Sequence, residues 1–349
     1  MLKIAVVNDS LVATESLRRV VDSVAEYKLV WTAGNGIEAV QRCSEHCPDI
    51  ILMDLIMPEM DGVEATHRIS STFDCAILIV TATVNGHTGK VFEAMGAGAL
   101  DAVNTPVLGE SGQGEGRDSL IHKIDTIATL MHSKPWRRRR PAPAMPQLQP
   151  ASGGVPLIAI GASTGGPSAL REVLQALPRD PGVAIAIVQH VDEQFSASFT
   201  AWLDEDAPLP VRQARAGERF EPGVALVCGR EDHLILTADG SLDYTPEPRA
   251  LAYRPSVDVF FNSVAEHHFN QAVGVLLTGM GKDGAAGLKA LRERGWITLA
   301  QDKDTCAVYG MPKAAKELDA AKEILPLGNI GPRLAAWAEQ ASSRGRENH

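Results

Sequence analysis

Short runs of β-branched and aliphatic residues alternate with amphipathic segments along most of this chain, in two separate blocks. The first block extends from Ile4 to about Ser133, and the second begins at Leu157. Strands that alternate with helices need crossover connections, which are right-handed and give a parallel sheet covered by helices on both faces. Because 349 residues exceed one ordinary core, we expect two α/β domains.

The first block predicts a flavodoxin-like domain over residues 1–133. Five successive βα units favour this fold, with its parallel five-stranded sheet. The predicted strands are Ile4–Val7, Leu29–Ala33, Ile50–Met53, Ile77–Val80 and Ala102–Val103.

Residues 134–155 interrupt the alternation. Prolines recur there among small and polar residues, and Arg137 to Arg140 form a basic run. This composition is typical of a semi-extended linker. We therefore place a Pro/Arg-rich linker at 134–155 and a second domain at 156–345.

The second block predicts a doubly wound, mainly parallel α/β domain. Its four predicted strands are continuous apolar runs, as expected for a sheet covered on both faces: Leu157–Ile160, Ala184–Gln189, Gln271–Leu277 and Ile297–Ala300. Turn signals at Glu221-Pro-Gly223 and Asp239-Gly240 flank two further segments, Val224–Cys228 and Leu234–Thr237. These two segments are predicted to form an antiparallel ribbon.

Charge and hydropathy exclude several classes of function. The net charge of −10 argues against a general nucleic-acid binder, which needs a positive surface. No apolar run approaches 18 residues, so we expect no membrane insertion. The N-terminus runs directly into a strand pattern, and the five cysteines lack the paired spacing of a zinc site. We expect a cytoplasmic protein with free thiols.

Polar and acidic residues fall at two predicted strand ends of the first domain, Asn8-Asp9 and Asp54. Ligands and catalytic groups of open parallel sheets lie at such ends, so the three side chains should converge. Asp54 precedes a loop fixed by Pro58 and Gly62, where an exposed carboxylate can act as a nucleophile.

The first domain resembles two-component receiver domains. The resemblance rests on Val7-Asn-Asp-Ser10, Met53-Asp-Leu-Ile-Met-Pro-x-Met-Asp-Gly62 and Thr81-Ala82. It implies that Asp54 accepts a phosphoryl group from a histidine kinase and that Thr81 reorients onto it. It also implies Mg²⁺ held by Asp9, Asp54 and the Ile56 carbonyl.

Two residues depart from the receiver pattern. Receivers usually carry two adjacent acids where this chain has Asn8-Asp9, and a lysine where it has Thr105. Asn8 removes a negative charge from the metal pocket, and Thr105 removes the cation that pairs with the phosphoryl group. The alternative to a phosphorylated switch is a degenerate receiver that only docks on the second domain.

In the second domain, the segment Gly161-Ala-Ser-Thr-Gly165 joins a predicted strand to a helix that begins near Pro167. A sharp turn of this type exposes a serine hydroxyl beside backbone N–H groups. The same turn could instead cradle a phosphate at the helix N-terminus.

His190 follows the next strand, and Asp283 follows the strand that ends near Leu277. A histidine there is often structural, and an aspartate in a Gly-rich loop often only forms a turn. Together with Ser163 they match a catalytic triad, with His190 as the general base.

The second domain resembles the chemotaxis protein-glutamate methylesterases of the CheB family. The matching segments are Gly161-Ala-Ser-Thr-Gly-Gly166, Val188-Gln-His190, Arg254-Pro-Ser-Val-Asp258, Leu277-Thr-Gly-Met-Gly-x-Asp-Gly-Ala-Ala286 and Tyr309-Gly-Met-Pro312. The resemblance implies hydrolysis of glutamyl methyl esters, with deamidation of glutamines, by Ser163, His190 and Asp283. Thr164 and Met280 match positions that support the nucleophile and the oxyanion hole, and the ester chemistry needs no cofactor.

The same resemblance implies the partners. The substrates are the signalling helices of methyl-accepting chemoreceptors, and the phosphodonor is a kinase of the CheA type. Arg254 either meets the acidic substrate or forms a structural ion pair. Asn8, Thr105 and the stretch from Val91 to Asp101 resemble the Wsp-type surface-sensing branch. Two other classes stay open: a non-enzymatic adaptor with an inert triad, and a nucleotide-binding module.

Overall fold

The computed structural model describes residues 1–81, 88–106, 116–131, 155–251, 253–268 and 271–347. The chain divides into two compact units, Met1–Arg137 and Arg138–His349. Of the predicted linker at 134–155, only Val155 lies within the described residues. No helix within these ranges is both long enough and apolar enough to cross a membrane.

The first unit is a flavodoxin-like α/β domain, as predicted. Its sheet has the order β2-β1-β3-β4-β5, and every neighbouring pair is parallel. The strands are β1 (Leu2–Val7), β2 (Tyr27–Ala33), β3 (Ile50–Met53), β4 (Ala76–Thr81) and β5 (Asp101–Asn104). The helices are α1 (Leu11–Asp22), α2 (Gly36–Glu45), α3 (Gly62–Thr72), α4 (Thr88–Gly96) and α5 (Arg117–Met131).

Side-chain caps start three of these helices. Ser10, Asn35 and Asp61 each accept a hydrogen bond from a backbone N–H in the first turn of α1, α2 and α3. Such caps satisfy N–H groups that a helix leaves unpaired. They therefore fix where α1, α2 and α3 begin at the carboxyl edge of the sheet.

The second unit is built on a seven-stranded sheet of order β14-β13-β12-β6-β7-β9-β8, in which all pairs are parallel. Its strands are β6 (Leu157–Ala162), β7 (Ala184–Gln189), β8 (Val211–Gln213), β9 (Ala225–Val227), β12 (Ala272–Leu276), β13 (Ile297–Gln301) and β14 (Glu323–Leu325), while β10 (His233–Leu236) and β11 (Leu242–Thr245) form a separate pair. The helices are α6 (Gly166–Gln175), α7 (Glu193–Asp206), α8 (Val257–His267), α9 (Ala285–Glu293), α10 (Met311–Glu317) and α11 (Leu327–Glu347).

The predicted ribbon of Val224–Cys228 with Leu234–Thr237 is wrong in its pairing. The first segment joins the main sheet as β9, parallel to β7, and the second forms an antiparallel pair with β11. The turn Asp239-Gly240 explains the difference, because Gly240 adopts a φ of 80° and closes the tight connection between β10 and β11. The apolar segment that precedes it fits the covered sheet instead.

His268, at the end of α8, is buried among aromatic rings. The edges of its ring and those of Phe220 and Trp296 meet at steep angles, and its Nε2 has no hydrogen-bond partner among the described residues. Burial lowers the pKa of His268 to about 4, against an ordinary value of 6.5. The imidazole is therefore neutral in the folded protein over a range in which the unfolded chain is protonated.

We predict that His268 makes the second unit less stable in mild acid. Between pH 6.5 and 4 the unfolded state binds the extra proton, so the free energy of unfolding falls as pH falls. From pH 7 to pH 5 this contribution amounts to about 2 kcal/mol. Urea unfolding measures the free energy of unfolding at pH 7 and pH 5. The loss of this free energy between the two pH values should be smaller by about that amount in His268→Phe than in wild type. His267→Gln, the control, should keep the wild-type change, and equal changes in all three proteins would contradict the prediction.

Candidate active site

Ser163 lies in the turn between β6 and α6, at the carboxyl edge of the sheet. Gly165 adopts a φ of 74° and serves as the N-cap of α6, with Pro167 in the first helical turn, as predicted. Glycine takes this left-handed conformation without steric cost, and proline suits a position where no N–H is needed. The turn therefore places Ser163, which is 7% exposed, at the start of a helix.

The backbone at Ser163 is held by β7 and by the segment after β12. The Gln189 side chain donates from Nε2 to the Ser163 carbonyl (2.9 Å), and the Ser163 N–H donates to the Thr278 carbonyl (3.1 Å). Thr278 Oγ1 donates to the Thr164 carbonyl (3.0 Å). A Cβ at Gly279 would lie 2.8 Å from the Ser163 Cβ, so this approach requires glycine. The serine is thus fixed from both sides.

Two backbone N–H groups of the turn already have hydrogen-bond acceptors within the protein. The Ser163 N–H bonds to Thr278, and the Gly166 N–H bonds to the Ser163 carbonyl at 2.7 Å. Phosphate-binding loops direct such groups at the ligand. The geometry therefore disfavours the nucleotide-binding alternative.

His190 follows β7 and lies beside Ser163 in the strand register. Ala162 pairs with Gln189, and the His190 N–H donates to the Ala162 carbonyl at 3.1 Å. The ring of His190 is 2.8 Å from Asp283, from Nε2 to Oδ2. Its Nδ1 is buried and has no hydrogen-bond partner among the described residues. The structure thus brings His190 and Asp283 together in a hydrogen bond. Ser163 and His190 are neighbours, but Nδ1 of His190 forms no hydrogen bond with Ser163.

The Asp283 carboxylate also accepts hydrogen bonds from the N-terminus of α8. The donors are Ser256 Oγ (2.8 Å), Val257 N (2.7 Å) and Asp258 N (3.1 Å). Burial alone would raise the pKa of Asp283, but the bonds from His190, Ser256 and Val257 outweigh it and hold the pKa below its ordinary value. An ionised carboxylate only accepts, so Nε2 of His190 carries the hydrogen and Nδ1 of the neutral ring is the basic atom.

The arrangement is reciprocal, because α8 in turn caps α9. Asp258 Oδ1, in the first turn of α8, accepts a 2.7 Å bond from the Gly287 N–H in the first turn of α9. Burial, together with the nearby Asp283 charge, raises the pKa of Asp258. Asp283 therefore fixes the N-terminus of α8. Asp258, in α8, fixes the N-terminus of α9, which is the helix that follows Asp283.

Sequence reasoning missed three parts of the site: Tyr253, Ser256 and helix α8. The Tyr253 ring stacks on His190 with centroids 4.6 Å apart and planes 5° apart. A helix signal was present, because Val257, Phe260, Phe261, Val264 and Ala265 follow helical spacing behind Ser256, the N-cap. No sequence signal predicted the Tyr253 stack.

The remaining predicted residues lie nearby on the same edge. Thr164 is buried, with its carbonyl bonded to Thr278, and Met280 is half-buried between Gly279 and Gly281. Arg254 is exposed and forms no ion pair with any residue that the structure describes. Its predicted structural ion pair is therefore absent from these residues.

The first unit places Asn8, Asp9 and Asp54 together at the carboxyl edge of its own sheet, since Val7 pairs with Met53. Burial raises the pKa of Asp54 to about 6, and the Asp9 charge adds to the rise, while N–H groups of Leu55 and Ile56 oppose it. Thr81 is buried at the end of β4, next to Asn104 of β5.

Among the residues that the structure describes, no lysine or arginine forms an ion pair with Asp54. Lys90 pairs instead with Asp61, from Nζ to Oδ2 at 2.8 Å. Thr105 Oγ1 and Asn104 Oδ1 are buried without hydrogen-bond partners in the described part of the chain. The edge that carries Asp54 therefore has buried polar atoms without partners among the described residues, and Lys90 is already paired.

The acidic edge fits a magnesium ion. Asp9 and Asp54 offer carboxylate oxygens, and Leu55 N–H occupies only Oδ1 of Asp54. Among the described residues no group of three or more His, Cys, Asp or Glu side chains could hold a metal. Mg²⁺ commonly binds through one or two carboxylates and keeps several waters, so two suffice.

The first unit is flavodoxin-like and has an acidic carboxyl edge. The second is an α/β unit that holds a serine beside a His–Asp pair. Together they define a response regulator with a hydrolase output domain. Comparison with known proteins agrees. Residues 158–334 match the family described as CheB methylesterase, and residues 4–111 match the response regulator receiver domain. The chain belongs to the CheB methylesterase family.

Close relatives and a solved structure support this membership. The chain is 52% identical to protein-glutamate methylesterase/protein-glutamine glutaminase 1 of Burkholderia lata, across 97% of this chain and 99% of that protein. It is 50% identical to protein-glutamate methylesterase/protein-glutamine glutaminase 3 of Pseudomonas aeruginosa, across 96% and 99%. The CheB methylesterase catalytic domain of Thermotoga maritima matches with a TM-score of 0.51 and 34% identity, covering 53% of this chain and all of that one.

We predict that Asp283 stabilises the fold as well as orienting His190. Replacing it by alanine leaves the N-terminal N–H groups of α8 without their acceptor, which costs about 2–4 kcal/mol of unfolding free energy. Asp304→Ala, at an exposed loop position, should cost less than about 0.5 kcal/mol. Urea unfolding measures both, and equal stability of the two variants would rule out the capping role.

Proposed function

We propose that this chain hydrolyses glutamate methyl esters, and deamidates glutamines, on methyl-accepting chemoreceptors, under the control of phosphorylation at Asp54. Membership of the CheB methylesterase family supports the reaction class, and the receiver domain supports the control. The single observation that carries the assignment of residues is the pairing of His190 with Asp283 next to Ser163.

In this proposal Ser163 Oγ attacks the ester carbonyl while His190 Nδ1 takes its proton. Nδ1 suits this role because Nε2 is bound to Asp283 and Nδ1 has no other partner in the described chain. Asp283 holds the ring and stabilises the imidazolium that forms. Backbone N–H groups at Thr164 and Met280 are the proposed oxyanion donors.

Collapse of the first tetrahedral intermediate breaks the bond from carbon to the methoxy oxygen, and His190 returns the proton to the departing methanol. Water then attacks the glutamyl ester on Ser163, with His190 again as the base, and releases the glutamate side chain. A glutamine substrate follows the same steps with ammonia as the leaving group. The proposal assigns no metal or cofactor to this chemistry.

Asp54 is the proposed phosphoacceptor, with a kinase of the CheA type as donor. A bound Mg²⁺ would neutralise charge between Asp54 and the incoming phosphoryl group, with Asp9, Asp54 and the Ile56 carbonyl as its protein ligands. Thr81 is the proposed switch residue. Assignment to the Wsp-type branch and a cytoplasmic location stay predictions.

The hydrolase proposal predicts that methanol release from a methylated receptor depends on Ser163. Ser163→Ala should lower kcat by at least about 10³-fold, because the nucleophile is lost. Ser168→Ala, five residues further along, is the matched control and should retain activity. Methanol release that survives in Ser163→Ala would refute the proposed nucleophile, and no release by wild type would favour the adaptor class.

The phosphorylation proposal predicts Mg²⁺-dependent labelling of Asp54 by a small phosphodonor. Asp54→Asn should abolish labelling, whereas Asp22→Asn, on the exposed face of α1, should not. Thr105→Lys should increase labelling several-fold, because it supplies the missing cation. Phosphoprotein gels and mass spectrometry measure all three, and an unlabelled wild type would identify a degenerate receiver.

A further inference from the structure

A cleft of about 410 Å³ lies beside β8, the outermost strand of the second unit's sheet, between this strand and α7. Small side chains of α7, including Ala197 and Ala201, form one wall. Arg212, Arg215 and Arg230 line the opposite side and one end. Its size is in the range of binding clefts. We call it the arginine cleft.

The arginine cleft is built from fixed contacts. The Arg230 guanidinium lies 4.8 Å from the centre of the Tyr244 ring. The Tyr244 hydroxyl accepts from the Gly229 N–H (3.1 Å) and donates to the Ala214 carbonyl (3.0 Å), joining the ends of β9 and β8. Stacking of this kind restrains a guanidinium and leaves its N–H groups available.

Only part of the positive charge of the cleft is compensated within it. Arg212 pairs with Glu218 at 2.5 Å and with Glu221 at 3.7 Å. In the described part of the chain no carboxylate lies within 4.0 Å of the Arg215 or Arg230 guanidinium groups. Asp204 also lines the cleft, where its Oδ1 accepts from the Val211 N–H at 2.7 Å. The cleft therefore holds one carboxylate and two cations without an ion pair among the described residues, on a chain whose net charge is −10.

One end of the arginine cleft lies at the carboxyl edge of the sheet, the same edge that carries Ser163 and His190. β9 is the neighbour of β7, with Ile187 paired to Val227, so His190 and Arg230 are each three residues beyond a paired position. β8 comes next, and Arg215 is two residues beyond its end. Ser163 follows β6, and the order β6-β7-β9-β8 puts β9 two strands and β8 three strands away from it. Strands are spaced by about 4.8 Å, so the ends of β9 and β8 lie roughly 10 and 14 Å from the end of β6.

These distances match a helix. One helical turn rises about 5.4 Å, so side chains two and three turns from a reacting ester lie about 11 and 16 Å along the helix axis. We propose that Arg230 and Arg215 bind carboxylates of the helical substrate, two and three turns from the glutamyl ester at Ser163. This inference rests on the proposed function and adds a specificity site to it. A charged guanidinium and a carboxylate form the strongest of the side-chain hydrogen bonds.

Binding tests the inference without any turnover. The probe is a fluorescent helical peptide that carries one glutamyl methyl ester with glutamates seven and eleven residues away, about two and three turns. The protein is the full chain with Ser163→Ala. Adding Arg215→Gln and Arg230→Gln should weaken binding about tenfold at low salt. Arg179→Gln with Arg294→Gln removes the same charge at the opposite edge of the sheet, and should leave binding unchanged.

Kinetics with active Ser163 supply the second readout. We call the protein with Arg215→Gln and Arg230→Gln the cleft variant. With Ser163 intact, this variant should show a KM for the acidic peptide about tenfold higher than wild type and an unchanged kcat, because the lost contact is remote from the reacting atoms. A peptide with glutamines in place of the two glutamates should show no difference between the proteins. Arg215→Glu with Arg230→Glu should regain affinity for a peptide with lysines at these positions.

The outcomes separate this inference from the proposed function. Weaker peptide binding in the cleft variant alone supports the cleft, even if wild type releases no methanol. Equal binding by the cleft variant and wild type, or equal losses in the cleft and control variants, overturns it while methanol release still supports the hydrolase. Displacement of the peptide by inorganic phosphate or a single-stranded oligonucleotide at lower concentration than by a glutamate-rich peptide also overturns it.

Discussion

The second unit depends on one buried carboxylate. Asp283 receives hydrogen bonds from the His190 ring and from the first turn of α8, while Asp258 of α8 receives one from the first turn of α9. A charge of this kind is costly to bury unless several donors surround it. Here the helix terminus supplies them, and it also keeps the carboxylate ionised. The Asp283 carboxylate therefore fixes the start of α8 and also determines which nitrogen of the His190 ring carries the hydrogen.

Much of this fold could be predicted from the sequence, because buried parallel strands leave continuous apolar runs. The sequence predicts β6 and β7, and Ser163 and His190 directly follow these strands; parallel strands end at a common edge, which brings the two residues to the same side of the sheet. The ribbon was mispredicted because a short apolar segment such as Val224–Cys228 fits either a hairpin or a covered sheet. The turn at Gly240 selects the hairpin with β11 instead.

The parts that could not be predicted are contacts between distant segments. The bonds from Ser256 and Val257 to Asp283 span 27 and 26 residues, and no local pattern indicates which helix N-terminus an aspartate will cap. The stack of Tyr253 on His190 has the same character. In the receiver, by contrast, the departures at Asn8 and Thr105 were visible in the sequence. The structure adds that Lys90 is already paired with Asp61.

The order of the residues along the chain has a consequence for biosynthesis. Asp283 follows His190 by 93 residues and comes directly after β12, an interior strand between β6 and β13. A nascent chain can therefore display the serine turn and the imidazole long before their carboxylate has been translated. The hydrogen bond between His190 and Asp283 can therefore form only after β12 has been synthesised.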